Sequence, residues 1–226
     1  PPIGVDASCP HRPDFPFAPP EGTDRLCENL VNTRFDQLSE DNIRIFKDRL
    51  LDITGCIFGG AVVPEDQFLE TMLSRWGGIP EAPLFARKGR LPMPSAVMLN
   101  SITARANDFG NMFFHVLGDR IASHCGETLF PMGLTLADTQ KTTGQEFIAN
   151  QVAAEDLTAR VLYTLPMRWP TDMLMVSSAA AALAARYYGL DTKQTKVALT
   201  YAATNATDPA NSYYDYSQEF KYHNGA

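Results

Sequence analysis

The sequence has no apolar run close to the roughly 20 residues that a membrane-spanning helix needs. Positive charge is also scarce, because 19 Lys and Arg residues stand against 26 Asp and Glu residues, for a formal net charge of −7. We therefore expect neither nucleic acid nor a membrane as a partner, whereas a small anionic substrate needs only a few local cations. No basic segment leads into an apolar one at the start of the chain, so no signal peptide is predicted. We expect a cytoplasmic protein, with an organellar or secreted location left open.

Cysteine and histidine are scarce as well, with four of each in 226 residues. The cysteines are widely spaced and form no C-x-x-C pair, so neither a zinc site nor a disulfide framework is predicted. One pairing, Cys9 with Cys27, stays open for an oxidising compartment. The histidines have no i, i+4 spacing, which gives no indication of a metal site. Phosphate-binding glycine loops and the G-x-S-x-G motif of serine hydrolases are missing too.

Proline is concentrated at the amino terminus, where residues 1–22 hold seven of the 16 prolines. That density excludes a helix or a central strand there. We predict a proline-rich N-terminal arm over residues 1–36 and a helical domain over residues 37–226.

Beyond the arm, apolar residues recur at steps of three and four, the period of amphipathic helices. Capping residues, acidic first turns, prolines and glycines predict helix ends. The predicted helices cover approximately residues 39–60, 64–76, 94–108, 143–165, 173–190 and 191–206. The second predicted helix has an apolar stripe of Phe68, Met72 and Trp76. Ser95 is the expected N-cap of the third predicted helix. No alternating strand pattern is found, so the fold class is all-α, with the alanine-rich helix at 173–190 buried in its centre.

One stretch after the third helix mixes charged and aromatic residues and predicts a site. Its charged and histidine residues are Arg105, Asp108, His115, Asp119, Arg120, His124 and Glu127. Asp108 ends one helix and His124 precedes the next apolar run, and a carboxylate near an imidazole can tune it as an acid or base. Arg105 lies one helical turn before Asp108. Its guanidinium either forms an ion pair with Asp108 or donates two hydrogen bonds to a substrate carboxylate. The alternative, in which Asp108 and His124 are only helix ends, stays open.

Two further candidates lie near the end of the sequence, in the segment EFKYHNGA. Lys221 is a carboxylate anchor or an acid–base group, and His223 lies beside it; the alternative is a solvated tail. Cys125 is poorly placed as a nucleophile activated by His124, because adjacent residues do not face each other on a helix.

Six segments, in order, resemble the MmgE/PrpD family, which includes 2-methylcitrate dehydratase, cis-aconitate decarboxylase and iminodisuccinate epimerase. They are LLDITGCIFGG, GRLPMPSAVMLNSITARANDF, ASHCGETLFPMGLTLAD, GQEFIANQVAAEDLTARV, SSAAAALAARYYGLDTKQTKVALTYA and KYHNGA. The resemblance implies an all-α main domain, an α+β lid domain and a homodimer, with no metal or organic cofactor. This chain stops where the lid would begin, so we expect the lid to be absent from it.

The resemblance also implies an activity, that of a lyase on a small di- or tricarboxylate such as 2-methylcitrate, another alkylcitrate or cis-aconitate. The reaction would be a dehydration or decarboxylation next to a carboxylate. The alternative is a degenerate, non-catalytic member that acts as a binding or scaffold subunit. In favour of that alternative, Trp169 to Thr171 stand where the family has an F-H-P triplet, so that active-site histidine is missing.

The site residues carry over only in part. Asp108 matches the first aspartate of the family segment DFDD, and His124 matches the histidine of HPS. Arg105 replaces a histidine, and the linker between Asp108 and His124 is longer than usual. The family's lysine aligns one place before Lys221. The resemblance and the residue pattern together assign His124, Asp108 and Lys221 as catalytic, and Arg105 and His223 as substrate-binding.

Overall fold

The structure is a computed structural model that describes residues 21–111, 113–116, 118–164 and 172–205. Within these residues eight α-helices form the fold, which confirms the predicted all-α class. The helices are α1 (Gly22–Asn32), α2 (Glu40–Gly60), α3 (Pro64–Trp76), α4 (Met93–Arg105), α5 (Gly126–Gln140), α6 (Gly144–Thr164), α7 (Asp172–Tyr187) and α8 (Thr192–Asn205). Two antiparallel hairpins accompany them, β1 (Ala82–Pro83) with β2 (Arg90–Leu91) and β3 (Phe113–Val116) with β4 (Asp119–Ala122). No helix among the described residues is long and apolar enough to cross a membrane.

The buried alanine-rich helix is confirmed as α7. Its residues Ala179, Ala182 and Leu183 have no exposed surface, and it packs against α5, α6 and α8. Small side chains let these helices approach closely, so α7 forms the centre of the main apolar core. The helix ends where the sequence predicts, because Gly189 takes a left-handed conformation with φ 64°.

Helix α2 follows its sequence pattern closely. The Ser39 hydroxyl accepts a hydrogen bond from the backbone N–H of Asn42 at 3.1 Å, which caps the first turn. Phe46, Ile53 and Ile57 form the buried face. The helix ends at Gly60, which lies against the backbone of α4. The contact leaves no room for a side chain, since a Cβ at position 60 would lie 1.9 Å from the carbonyl oxygen of Thr103.

The stripe predicted for α3 is wrong at two of its three positions, because only Met72 packs against the smaller apolar cluster. Phe68 and Trp76 are 70 % and 66 % exposed, and the buried positions are Asp66 and Leu73. Asp66 is accommodated because Arg87 donates to its carboxylate at 2.8 Å, although burial still raises the pKa of this carboxyl. The buried face of α3 thus combines an ion pair with an apolar residue.

Two other helix starts differ from the sequence expectation. Helix α4 begins at Met93 after Pro92, so Ser95 lies inside its first turn and is not the cap. Helix α1 occupies Gly22–Asn32, within the stretch assigned to the arm, and its residues Cys27 and Leu30 are fully buried. This helix packs against α6 and α8. The division at residue 36 between arm and helical domain stays a prediction.

The hairpin of β3 and β4 fills the linker between Asp108 and His124, where no strand was predicted. Phe114 pairs with Ile121 across the hairpin, and both side chains are buried. The hairpin packs against α6. It thereby brings the end of α4 and the start of α5 to the same place, and the candidate site lies there.

Candidate functional site

The end of α4 supplies the first two residues of the site. The chain leaves the helix through Asp108, which takes a left-handed conformation with φ 56°, and its backbone N–H bonds the carbonyl oxygen of Arg105 at 3.0 Å. This turn directs the Asp108 carboxylate back onto the guanidinium of Arg105, to which it is hydrogen-bonded. The Arg105 side chain is 2 % exposed and that of Asp108 40 % exposed.

The start of α5 supplies the other two residues. His124 lies just before the helix and Glu127 in its first turn, and the backbone N–H of Glu127 bonds the carbonyl oxygen of His124 at 3.2 Å. The Nδ1 atom of His124 lies 3.3 Å from Oε2 of Glu127. The same carboxylate oxygen lies 3.1 Å from Nε of Arg105. Glu127, whose side chain is 1 % exposed, thus stands between the histidine and the arginine.

A glycine makes room for Glu127. The backbone N–H of Gly110 donates to Oε1 of Glu127 at 3.1 Å. A Cβ at this position would lie 2.3 Å from that oxygen and 2.6 Å from Cγ of Glu127. A larger side chain at position 110 would therefore displace the Glu127 side chain from its buried position.

The four side chains form one charge cluster. Arg105 contributes one positive charge, and Asp108 and Glu127 contribute two negative charges, so with a neutral imidazole the cluster carries a formal charge of −1. Single ligand atoms of Asp108, His124 and Glu127 lie within 4.8 Å of one another, which is close enough for a metal ion. The guanidinium already faces both carboxylates, and its charge would repel a divalent cation. The donor set therefore fits an internal ion-pair cluster better than a metal centre.

Polar and aromatic side chains surround the cluster. Asn111 donates from its backbone and its side chain to Asp52 of α2, at 3.2 and 3.1 Å, which ties the loop after α4 to α2. Arg49 of α2 bonds Glu155 of α6 at 2.8 Å and lies 5.2 Å from the ring centre of Phe114. These contacts anchor the site on α2 and α6 as well as on α4 and α5.

The buried cysteines near the site are poorly suited to act as nucleophiles. Burial raises the pKa of the Cys125 thiol to about 12 and that of Cys56 to about 11. We expect iodoacetamide at mildly alkaline pH to leave both thiols unmodified in the folded protein and to label them in urea, because a protonated thiol does not react. Peptide mass mapping makes the measurement. Labelling of Cys125 in the folded protein at the rate of a free thiol would contradict this assignment.

The structure brings together three of the five residues that the sequence proposes. Asp108, His124 and Arg105 meet, whereas Lys221 and His223 lie outside the described residues. Glu127 has no role in the sequence-based prediction, although its carboxylate lies 3.3 Å from Nδ1 of His124. Glu127 follows His124 by three residues at the start of a helix, and this spacing could have indicated that the two side chains are neighbours.

The comparison with known families agrees with this architecture. The sequence matches the MmgE/PrpD N-terminal domain over residues 24–226. The chain belongs to the MmgE/PrpD family. No individual curated protein matches it. In this MmgE/PrpD chain the matched region begins inside α1, which agrees with the packing of that helix onto the domain.

Proposed function

We propose that this MmgE/PrpD chain is a lyase that acts on a small di- or tricarboxylate, with His124 as its general acid or base. The observation that carries the proposal is the 3.3 Å approach of Nδ1 of His124 to the buried carboxylate of Glu127. A carboxylate in this position selects one tautomer of the ring and stabilises the imidazolium that forms when the ring takes up a proton.

The tautomer follows from electrostatics. A bare nitrogen lone pair facing a carboxylate oxygen is repelled, so the neutral ring holds its proton on Nδ1. The Nε2 atom is then a proton acceptor. The His124 side chain is 16 % exposed although its Nδ1 atom is buried, so the exposed surface belongs to other atoms of the side chain. The ring can thus receive a proton from a substrate without losing its contact with Glu127.

In a dehydration, Nε2 of His124 takes the proton from the carbon next to a substrate carboxylate. The C–H electron pair forms the double bond, and the hydroxyl group on the neighbouring carbon leaves as water with a proton from an acid. We propose Lys221 for that acid, on the family resemblance alone. In a decarboxylation, the carboxylate leaves as carbon dioxide and His124 supplies the proton that replaces it.

Arg105 is proposed to bind the substrate carboxylate, together with His223. The guanidinium is engaged by two carboxylates inside the chain, and Asp108 is the more exposed of them. A substrate carboxylate therefore reaches Arg105 by replacing Asp108. Asp108 then holds Arg105 in place until substrate arrives. The carboxylate that lies 3.3 Å from Nδ1 of His124 is that of Glu127.

The test is product analysis after incubation with citrate, 2-methylcitrate, longer alkylcitrates and cis-aconitate. We expect turnover of at least one of them by the wild-type chain, and a loss of about 100-fold or more in His124→Gln. His115→Gln is the matched control, because His115 is exposed on β3, and it should retain full activity. Equal turnover by wild type and His124→Gln would remove His124 from the mechanism.

The alternative proposal is a non-catalytic subunit of a homodimer or a larger assembly. Trp169 to Thr171, where the family has its second histidine, favour this alternative, although they lie outside the described residues. A wild-type chain that binds the carboxylates without converting any of them would support the alternative and contradict the lyase.

A further inference from the structure

A cavity lies at the opposite end of α5 from the charge cluster. It measures about 680 Å³ and is lined by the end of α1, the turn from α5 to α6 and the last turn of α7. Helix α5 runs from Glu127 in the cluster to Gln140 at this cavity, a distance of about 20 Å at the rise of an α-helix. The volume lies within the range of small-molecule sites. We call it the α7 cavity.

The lining of the α7 cavity is positively charged. Its cationic residues are Arg34, Lys141 and Arg186, and Glu146 is its one acid, so three positive charges and one negative charge leave +2. The rest of the protein is acidic, with a formal net charge of −7 for the whole chain. The Glu146 carboxylate is already held by the backbone N–H and the hydroxyl of Thr143, at 3.0 and 2.7 Å.

The end of α1 holds the two guanidiniums side by side. Arg186 donates to the carbonyl oxygens of Leu30 and Val31, both at 2.8 Å, and to that of Thr33 at 2.9 Å. Arg34 also donates to the carbonyl oxygen of Val31, at 2.8 Å. Helix-end carbonyls carry partial negative charge and so tolerate two cations. Burial, together with the charge of Arg34, lowers the pKa of Arg186, which indicates how close the two groups are.

Two of the three cations, Arg34 and Lys141, keep N–H groups that can donate hydrogen bonds to a ligand. Of the guanidinium nitrogens of Arg34, only Nη1 donates a hydrogen bond to the residues that the structure describes. No carboxylate among those residues forms an ion pair with Arg34 or Arg186. The Lys141 ammonium has Asp138 at 3.8 Å, but Asp138 also binds Arg90 at 3.0 Å. The positive charge of the lining is thus left largely uncompensated within the part of the chain that the structure describes.

We infer that the α7 cavity binds a small organic oxyanion with more than one negative charge, carried by phosphate or carboxylate groups. The unused nitrogens of Arg34 and the Lys141 ammonium donate to its oxygens, and Arg186 supplies charge from behind. Guanidinium groups match the planar spacing of carboxylate and phosphate oxygens. The site is separate from the charge cluster, so its occupation does not depend on the proposed lyase activity.

Isothermal titration calorimetry with pyrophosphate and with citrate tests the inference. We expect saturable binding of at least one, weakened by added salt. The double variant Arg34→Gln/Lys141→Gln should bind at least about tenfold more weakly. The control Arg75→Gln/Lys88→Gln removes the same charge from exposed positions elsewhere and should bind as the wild type does. Tighter binding of pyrophosphate identifies a phosphate ligand, and tighter binding of citrate a carboxylate ligand.

Two results would overturn the inference. One is the absence of saturable binding at millimolar pyrophosphate and citrate, and the other is equal affinity of wild type and double variant. The single variant Lys141→Gln serves as a second test in case the double variant misfolds. We expect it to fold, because the Lys141 side chain is 79 % exposed and its replacement leaves the Arg34 contacts in place. This single variant must also bind several-fold more weakly.

Discussion

Gly60→Ala should lower the free energy of unfolding by about 3 kcal/mol or more. The new Cβ would lie 1.9 Å from the carbonyl oxygen and 2.8 Å from the carbonyl carbon of Thr103. Both are backbone atoms of α4, so no side-chain rotation relieves the overlap and the two helices must move apart. For a domain of this size the melting temperature should fall by roughly 6–12 °C. Thermal and urea unfolding followed by circular dichroism make the measurement.

Gly55→Ala is the matched control in the same helix. No atom lies within 4 Å of a Cβ at position 55, which is exposed. Alanine there should stabilise the protein by about 0.5–1 kcal/mol, because alanine has the higher helix propensity. A Gly60→Ala protein as stable as the Gly55→Ala protein would mean that α2 and α4 do not approach as closely as described.

Arg105→Leu should cost about 3–5 kcal/mol of stability, because it leaves the carboxylate of Glu127 buried without its cation. The Arg105 and Glu127 side chains are 2 % and 1 % exposed, so water cannot replace the lost contact. Adding Glu127→Leu should recover part of the loss, since it removes the unpaired charge. Urea unfolding of the single and double variants measures both effects.

Arg44→Leu provides the comparison for an exposed arginine. Arg44 also contacts two carboxylates, Asp41 at 3.3 Å and Asp48 at 3.4 Å, but its side chain is 62 % exposed. Its replacement should change stability by about 0.5 kcal/mol or less, because solvent screens such pairs. Similar losses in Arg105→Leu and Arg44→Leu would show that the charge cluster is solvated and not buried.

Helices α2 and α3 show how far the sequence predicts this fold. In α2 the capping serine, the apolar period and the final glycines all indicate the same helix and the same buried face. In α3 two faces compete, and the apolar period favours Phe68 and Trp76. The protein buries Asp66 instead, because Arg87, a residue from a different segment, neutralises it. A partner so distant in sequence is invisible to a local pattern.

The site was predictable to a similar degree. The sequence singles out Arg105, Asp108 and His124, and the structure places them together, although their chemical roles remain proposals. Glu127 was not assigned a role because an acid at the start of a helix is ordinarily a solvated residue that favours the helix dipole. Its burial depends on the β3–β4 hairpin and on the space beside Gly110. Both are tertiary features, and strands of four residues are too short to give a clear alternating pattern in the sequence.

The proposed mechanism requires that Glu127 hold the proton of the neutral His124 ring on Nδ1 and leave Nε2 to accept a proton. Nitrogen NMR of isotope-labelled histidine in the intact chain measures this tautomer directly, and His124→Gln identifies the signal by its loss. We predict that the neutral ring is protonated on Nδ1. A neutral His124 with its proton on Nε2 would contradict the contact with Glu127 and the mechanism that follows from it.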